Sequence, residues 1–175
     1  MSTSNSQQNN DTKKMEEYFM GMAYLSGMRS KDSNTQVGAC VVNENNEIVG
    51  VGYNGMPNRC IDDEMPWGRN EDKMDLDSKY PYVCHAEMNA IVNANEASVK
   101  DCDIYVTMFP CNDCAKLIVQ SEIKRVYYNN YKNKNTTNIS NHILEQAGLE
   151  IKAFDSNNAI DICYHSKTKD SSVST

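Results

Sequence analysis

Short apolar runs alternate with segments of helical periodicity along most of this chain, and this alternation restricts its fold more than any other feature. Apolar side chains recur at three- and four-residue spacing over 15–26, which predicts an amphipathic helix. Apolar runs at 37–42 and 48–53 flank a turn-forming segment and predict a β-hairpin. Helices and strands are then predicted to alternate, starting with a helix, at 85–97, 104–108, 111–120, 125–128, 138–147 and 149–154.

This order of elements predicts an α/β domain with a mixed sheet of about five strands and helices on both faces. A length of 175 residues suits one domain, which we place at 13–165. The flanking segments 1–12 and 166–175 are polar. They hold too few apolar side chains to offset the entropy cost of ordering, so both are predicted to be disordered tails.

Composition and charge exclude several classes of protein. A net charge of −7 argues against general nucleic-acid binding, which usually requires a strongly basic surface. No apolar run is long enough to span a membrane, and the N-terminal residues do not resemble a signal peptide. Seven cysteines in such a chain indicate reduced thiols or metal ligands. We therefore expect a cytoplasmic protein that binds neither nucleic acid nor membranes.

The segment 54–82 interrupts the alternation, because it shows no convincing periodicity. It contains three of the four prolines and the only tryptophan. Loops of this length in compact domains are usually functional or disordered. Since Trp67 and several methionines favour order, we predict an ordered loop over a site or an interface, with a floppy insertion as the alternative.

Two short motifs carry the chemistry of the chain. His85 and Glu87 lie at the start of one predicted helix, and Cys111 and Cys114 lie on one face at the start of another. The imidazole nitrogen of His85 and the sulfurs of Cys111 and Cys114 together suit zinc. Three protein ligands leave a fourth position for water, as in catalytic zinc sites. Glu87 is then placed to move protons. Alone, the Cys-x-x-Cys motif would equally fit a structural zinc half-site or a redox motif, and Glu87 an exposed acid at a helix start.

With both motifs present, the chain resembles the zinc-dependent cytidine and deoxycytidylate deaminases, a class for which this signature is known. Within that family it is similar to the dCMP deaminases of animals and large viruses. Five stretches carry this similarity, namely Arg29-Ser30-Lys31-Asp32, Gln36-Val37-Gly38-Ala39-Cys40, Gly52-Tyr53-Asn54-Gly55-Met56-Pro57, Tyr80 to Glu87 and Phe109 to Lys116.

The resemblance implies a fold and an activity. The fold would be the cytidine-deaminase-like three-layer α/β/α arrangement. His85, Cys111 and Cys114 would hold Zn²⁺, and Glu87 would be the catalytic proton carrier. The reaction would be hydrolysis of dCMP to dUMP and ammonia, which supplies dUMP for thymidylate synthesis.

The resemblance also implies substrate contacts. Asn54 would contact the sugar, and the N–H of Ala86 would contact the pyrimidine carbonyl. The asparagine-rich region 129–141, where Tyr131 and Lys132 are the candidates, would help to hold the substrate phosphate.

Regulation and assembly follow from the same resemblance. Members of the family are typically homo-oligomers, with a hexamer favoured here, activated by dCTP and inhibited by dTTP. Effector binding would involve Asn58 and Arg59, where relatives commonly carry glycine in place of Arg59. A glycine there would serve a positive φ or close approach to a phosphate, whereas the Arg59 guanidinium offers a phosphate contact of its own.

Two other functions remain open on the sequence. The same signature occurs in deaminases of tRNA adenosine and of polynucleotide cytidine, although the acidic charge and the Gly-Tyr-Asn-Gly loop argue against a polynucleotide substrate. A catalytically silent deaminase-like subunit is the second alternative. Its mark would be loss of the carboxylate, but Glu87 is intact.

Overall fold

The computed structural model describes residues 3–70, 74–94, 97–132 and 134–154. Helices and strands follow the predicted order, which confirms the α/β assignment. In chain order they are α1 (Thr3–Gly27), β1 (Gly38–Val42), β2 (Ile48–Tyr53), α2 (Ala86–Val92), β3 (Asp103–Met108), α3 (Asn112–Gln120), β4 (Arg125–Asn130), α4 (Asn135–Gln146) and β5 (Glu150–Ala153).

The five strands form one mixed sheet in the spatial order β2-β1-β3-β4-β5. Strand β1 pairs antiparallel with both β2 and β3, whereas β3, β4 and β5 run parallel. Parallel neighbours need a crossover connection, which α3 and α4 supply. The carboxyl end of β3 consequently leads straight to the start of α3, where the Cys-x-x-Cys motif lies.

Successive side chains of β1 point to opposite faces of the sheet and build two apolar cores. Ala39 and Val41 belong to the core shared with α2, α3 and α4. Cys40 and Val42 belong to the core against α1. Helices therefore cover both faces, and the predicted three-layer arrangement is confirmed. Other members of the two cores are Ala90, Ile104, Val106, Ile118, Val126 and Leu144 on the first face and Phe19, Met20, Tyr105 and Tyr127 on the second.

The length of α1 differs from the sequence prediction. The helix extends back to Thr3, whereas the polar composition predicts a disordered tail over 1–12. Once a helix is held by its packed face, each added residue gains a backbone hydrogen bond without a new nucleation cost, so the helix can continue into polar sequence.

The predicted tail 166–175 and the predicted domain end at 165 lie outside the described residues. Within the described ranges, no helix is both long and apolar enough to cross a bilayer.

The described part of the long segment 54–82 is ordered by hydrogen bonds within the segment and to the rest of the domain, as the prediction of an ordered loop requires. Gly55 and Cys84 form an isolated antiparallel bridge. The Trp67 indole N–H donates to the Asp62 carbonyl at 2.9 Å. The Arg69 guanidinium donates to the Thr35 hydroxyl at 2.7 Å.

Two glycines bring the backbone of α2 into direct contact with β2, the edge strand of the sheet. A Cβ at Gly52 would lie 2.2 Å from the Ala86 carbonyl oxygen, and one at Gly50 would lie 2.2 Å from that of Ala90. The side chains of Asn89 and Asn93 then donate to the Tyr53 and Val51 carbonyls at 2.8 and 3.0 Å. These contacts set the position of the helix that begins after His85.

We expect Gly52→Ala to displace α2, because the added methyl group would meet backbone atoms that cannot move aside. Overpacking of this kind usually costs about 1–3 kcal/mol. The variant should unfold at lower denaturant concentration and bind zinc less tightly than the parent. Gly21→Ala is the matched control, since a Cβ at Gly21 meets no atom within 4 Å. It should be neutral or slightly stabilising, and equal stability of the two variants would refute the close-contact interpretation.

Candidate active site

The starts of α2 and α3 converge on one point in front of the sheet. His85 is the N-cap residue of α2 and Cys111 is the N-cap residue of α3. The Nδ1 atom of His85 lies 3.3 Å from the Cys111 Sγ and 3.4 Å from the Cys114 Sγ. The two motifs that the sequence separates are therefore brought together by the fold.

Each ligand is placed by a defined backbone feature. The bridge between Gly55 and Cys84 fixes the residue that precedes His85 against the end of β2. On the other side, the N–H of Phe109 donates to the Asn130 carbonyl at 2.8 Å, which extends the β3–β4 pairing to the entry of α3. The sheet thus holds both helix starts in register.

The donor set fits zinc. The nitrogen and the two sulfurs lie within 4.8 Å of one another. Zinc binds nitrogen at about 2.1 Å and sulfur at about 2.3 Å in tetrahedral geometry, which puts neighbouring donors about 3.6 Å apart. The observed separations of 3.3 and 3.4 Å are close to that value. Three protein donors leave one position for water or substrate.

Glu87 lies behind this cluster and is almost completely buried, with 4 % of its surface exposed. Burial raises the pKa of its carboxyl group, whereas the nearby His85 acts in the opposite direction. A raised pKa makes the carboxylate a stronger base, which suits a group that accepts a proton and passes it on. The interpretation of Glu87 as an ordinary exposed acid at a helix start is therefore wrong.

The protons of the His85, Cys111 and Cys114 cluster are shared unequally. A hydrogen bond from Cys114, aided by His85, lowers the pKa of the Cys111 thiol to about 4. The hydrogen bond to Cys111 raises the pKa of His85 to about 9, and the same pairing with Cys111 raises the pKa of Cys114. Cys111 is therefore the thiolate of the pair, which is the form of cysteine that binds metal.

Ala86 directly follows His85, and Asn54 precedes Gly55, which is bridged to the residue before His85. Both residues therefore lie in the region where the resemblance places the nucleoside. Asn54 follows β2 and is 6 % exposed. Ala86 is the first residue of α2, so its N–H has no acceptor within the helix and faces the same end as the metal ligands.

Tyr131 packs against a residue close to Cys111, whereas the side chain of Lys132 is exposed. Tyr131 packs edge-on against Phe109, with the ring centroids 5.1 Å apart, and its hydroxyl donates to the Asn138 side chain at 3.1 Å. Phe109 is two residues from Cys111. The side chain of Lys132 is exposed, and its carbonyl accepts a hydrogen bond from the Thr137 hydroxyl at 2.8 Å.

Asn58 and Arg59 line a separate basic cavity of about 220 Å³. Arg29, Lys31 and Trp67 also line it, and the Arg29 guanidinium lies 4.9 Å from the centre of the Tyr53 ring. Arg59 has a φ of 73°, in the left-handed region that favours glycine. The glycine that relatives commonly carry at this position is therefore explained by the positive φ.

Sequence reasoning gave no role to several residues around the site. Asp32 and Lys79 form a buried ion pair next to Asn54. Nothing in periodicity could pair two residues so far apart along the chain. The role of Gly50 and Gly52 could have been predicted from the sequence, because glycines inside a strand often mark the close approach of another backbone segment.

Comparison with known proteins agrees with this geometry. The family model for the cytidine and deoxycytidylate deaminase zinc-binding region matches residues 13–130. The matched region contains both metal-binding motifs and Glu87. The chain belongs to the cytidine and deoxycytidylate deaminase family.

Individual relatives narrow the similarity further. The chain is 53 % identical to the deoxycytidylate deaminase of Homo sapiens over 140 residues, covering 79 % of this chain and 78 % of the relative. The deoxycytidylate deaminase of Pongo abelii is 54 % identical over the same length and the same shares. Among solved structures, the dCMP deaminase of cyanophage S-TIM5 in complex with dCMP and dUMP matches with a TM-score of 0.66. It is 32 % identical and covers 80 % of this chain and 96 % of that one.

The low pKa of Cys111 predicts an unusual pH profile for its alkylation. In metal-free protein, Cys111 with a pKa of about 4 should be fully ionised above about pH 6. Its rate of alkylation by iodoacetamide should therefore stay nearly constant from about pH 6 to about pH 8, as followed by peptide mapping. In urea, where a cysteine ionises near pH ~8.5, the rate at the same residue should rise with pH. A steep rise in the folded protein would contradict the proton arrangement described.

Proposed function

We propose that this protein catalyses the hydrolytic deamination of dCMP to dUMP and ammonia. The observation that carries the proposal is the buried Glu87 next to the His85, Cys111 and Cys114 cluster. The choice of dCMP is supported by the identity to the deoxycytidylate deaminases of Homo sapiens and Pongo abelii. It is also supported by the similarity to a cyanophage enzyme solved with dCMP and dUMP.

The reaction replaces the amino group at C4 of cytosine by an oxygen from water. A C4–O bond forms, the C4–N bond breaks, and ammonia leaves. When bound at His85, Cys111 and Cys114, zinc lowers the pKa of water to about 7 and so makes hydroxide available at neutral pH. The Glu87 carboxylate accepts one proton from the attacking water and donates it to the ring nitrogen N3. It then takes the second water proton from the hydroxyl group now on C4 and transfers it to the amino group, which leaves as ammonia while the C4=O bond forms.

The remaining contacts orient the nucleotide. The Ala86 N–H is placed to donate to the pyrimidine carbonyl, and Asn54 to contact the sugar. Tyr131 and Lys132 are the proposed phosphate contacts, with Tyr131 favoured because it packs against Phe109, which lies two residues before Cys111. A product of this kind would supply dUMP for thymidylate synthesis.

Replacing Glu87 by glutamine should separate metal binding from catalysis. Glu87→Gln keeps the size of the side chain but removes the proton-carrying group, so activity on dCMP should fall at least about a hundredfold. The zinc content, measured by mass spectrometry of the purified protein, should remain that of the parent. Cys111→Ala is the contrasting variant and should lose both metal and activity. Near-normal turnover by zinc-loaded Glu87→Gln would disprove the assignment.

Regulation by dCTP as activator and dTTP as inhibitor is part of the proposal, and we assign it to the basic cavity. Arg29, Lys31 and Arg59 bring three cations to this cavity, and Trp67 offers an aromatic face. Cations suit the phosphate groups of a nucleotide, and aromatic rings stack on bases. Asp62 also lines the cavity and pairs with Lys31 at 3.0 Å, so the charge is not purely positive.

A pair of substitutions at Arg59 separates its two roles. Arg59→Ala and Arg59→Gly both remove the guanidinium, so both should raise the dCTP concentration for half-maximal activation by about tenfold. Only glycine relieves the left-handed backbone, so Arg59→Gly should be the more stable variant by about 1 kcal/mol in denaturant titration. Unchanged activation in both variants would remove Arg59 from effector binding, and equal stability would refute the strain.

Assembly and location complete the proposal. Four large apolar side chains are exposed on the outer face of α1 and just after its end, namely Met15, Tyr18, Leu25 and Met28. Exposed apolar side chains of this kind fit a homo-oligomer such as a hexamer. The described cysteines are all free thiols, which fits the reducing cytoplasm.

A further inference from the structure

The carboxamide of Asn54 is held in one orientation by three hydrogen bonds. Its oxygen accepts from the Val37 N–H at 2.8 Å. Its nitrogen donates to the Thr35 carbonyl at 3.0 Å and to the Asp32 carboxylate at 3.3 Å. Turning the amide over would set two donors against each other at Val37. Both donors are occupied, and the oxygen keeps one lone pair.

Asp32 is buried, with 3 % of its surface exposed, and both of its oxygens are in use. One oxygen accepts from the N–H groups of Asn34 and Thr35 at 2.9 and 3.2 Å. The other receives the Asn54 side chain and the ammonium group of Lys79. Burial raises the pKa of Asp32, but hydrogen bonds from Lys79 and Asn34 outweigh it and lower the pKa. The acceptor beside Asn54 therefore stays charged.

Lys79 reaches this carboxylate from the far end of the long loop. It is 4 % exposed, and its backbone N–H donates to the Gly68 carbonyl at 3.0 Å. The Ser30 hydroxyl donates to the Asn54 carbonyl at 2.7 Å from the other side. One buried polar network thus joins the loop, the turn at 30–35 and the end of β2.

A buried ion pair of this kind is a poor source of stability, because desolvating two charges offsets most of their attraction. The ion pair instead anchors the side chain of Asn54, which donates a hydrogen bond to Asp32. Asn54 precedes Gly55, which pairs with Cys84, the residue before His85, so Asn54 lies at the edge of the catalytic centre. The lone pair that remains on its side-chain oxygen can accept a hydrogen bond from a hydroxyl group. The deoxyribose of dCMP carries one free hydroxyl, at the 3′ position, because the 5′ oxygen is phosphorylated and the 2′ carbon bears only hydrogen.

We propose that Asp32 and Lys79 are positioning residues, which hold the Asn54 carboxamide so that its oxygen receives the 3′-hydroxyl of the nucleotide. The proposal rests on the proposed dCMP deaminase function and on Asn54 as its sugar contact. The loop residue Lys79 acts at a distance, through Asp32, and touches no substrate. Folding of the loop against the turn is then a condition for recognition of the sugar.

The variant that tests this proposal is the double substitution Asp32→Asn with Lys79→Met. It removes both charges together, so no buried charge is left unpaired. The oxygen of the substituted amide would still accept the two backbone N–H groups of the turn. Its nitrogen would instead face the Asn54 nitrogen, donor against donor, and Asn54 would lose its anchor. Lys100→Met is the matched control, because Lys100 pairs with Glu122 on the surface.

The measurement is the ratio of kcat/KM for dCMP to kcat/KM for 2′,3′-dideoxycytidine monophosphate, with zinc-loaded protein. The parent and Lys100→Met should prefer dCMP by about tenfold, the value of one good hydrogen bond. In the double variant and in Asn54→Ala the ratio should fall to within about threefold of unity. A merely structural defect would lower both activities together and leave the ratio unchanged.

Three results would overturn the proposal, and they are distinguishable. If Asn54→Ala loses the preference but the double variant keeps it, Asn54 binds the sugar without help from Asp32 and Lys79. If the parent turns over both substrates equally, Asn54 makes no contact with the 3′-hydroxyl, although the deaminase activity stands. If zinc-loaded parent turns over neither substrate, the proposed function itself fails.

Discussion

The contact between α2 and the edge strand β2 controls the geometry of the candidate active site. Gly50 and Gly52 lack the Cβ atoms that would hold the helix away, and Asn89 and Asn93 then fasten it to strand carbonyls. Because the helix begins directly after His85, its packing on the strand determines where the His85 side chain lies. A binding site needs placement to within about half an ångström, and helices and strands position side chains more precisely than loops do.

The second constraint is the change of strand direction within the sheet. Antiparallel pairing of β1 with β2 and β3 brings the end of β2 to the same region as the carboxyl end of β3. The chain can then start two helices side by side, one after each strand end. Both helix starts are electropositive, which favours a thiolate at Cys111.

Much of this could be predicted from the sequence. The element order followed from periodicity, because apolar side chains must face a core and the spacing reveals which element does so. The cluster of His85, Cys111 and Cys114 could be predicted from the two motifs together with the resemblance to known deaminases. The boundaries were less accurate: α1 extends to Thr3 and α4 begins at Asn135, since backbone hydrogen bonding continues into polar residues that carry no apolar signal.

By itself, the sequence determined the class of fold, the histidine and cysteine donors and the carboxylate of Glu87 close to them, because these depend on local spacing and on residue chemistry. Tertiary structure alone decided that Glu87 is buried, that Arg59 takes a left-handed backbone and that Lys79 pairs with Asp32 beneath Asn54. These features arise between segments far apart in the chain. Burial, backbone strain and the pairing of buried charges belong to the packed molecule, and no local pattern encodes them.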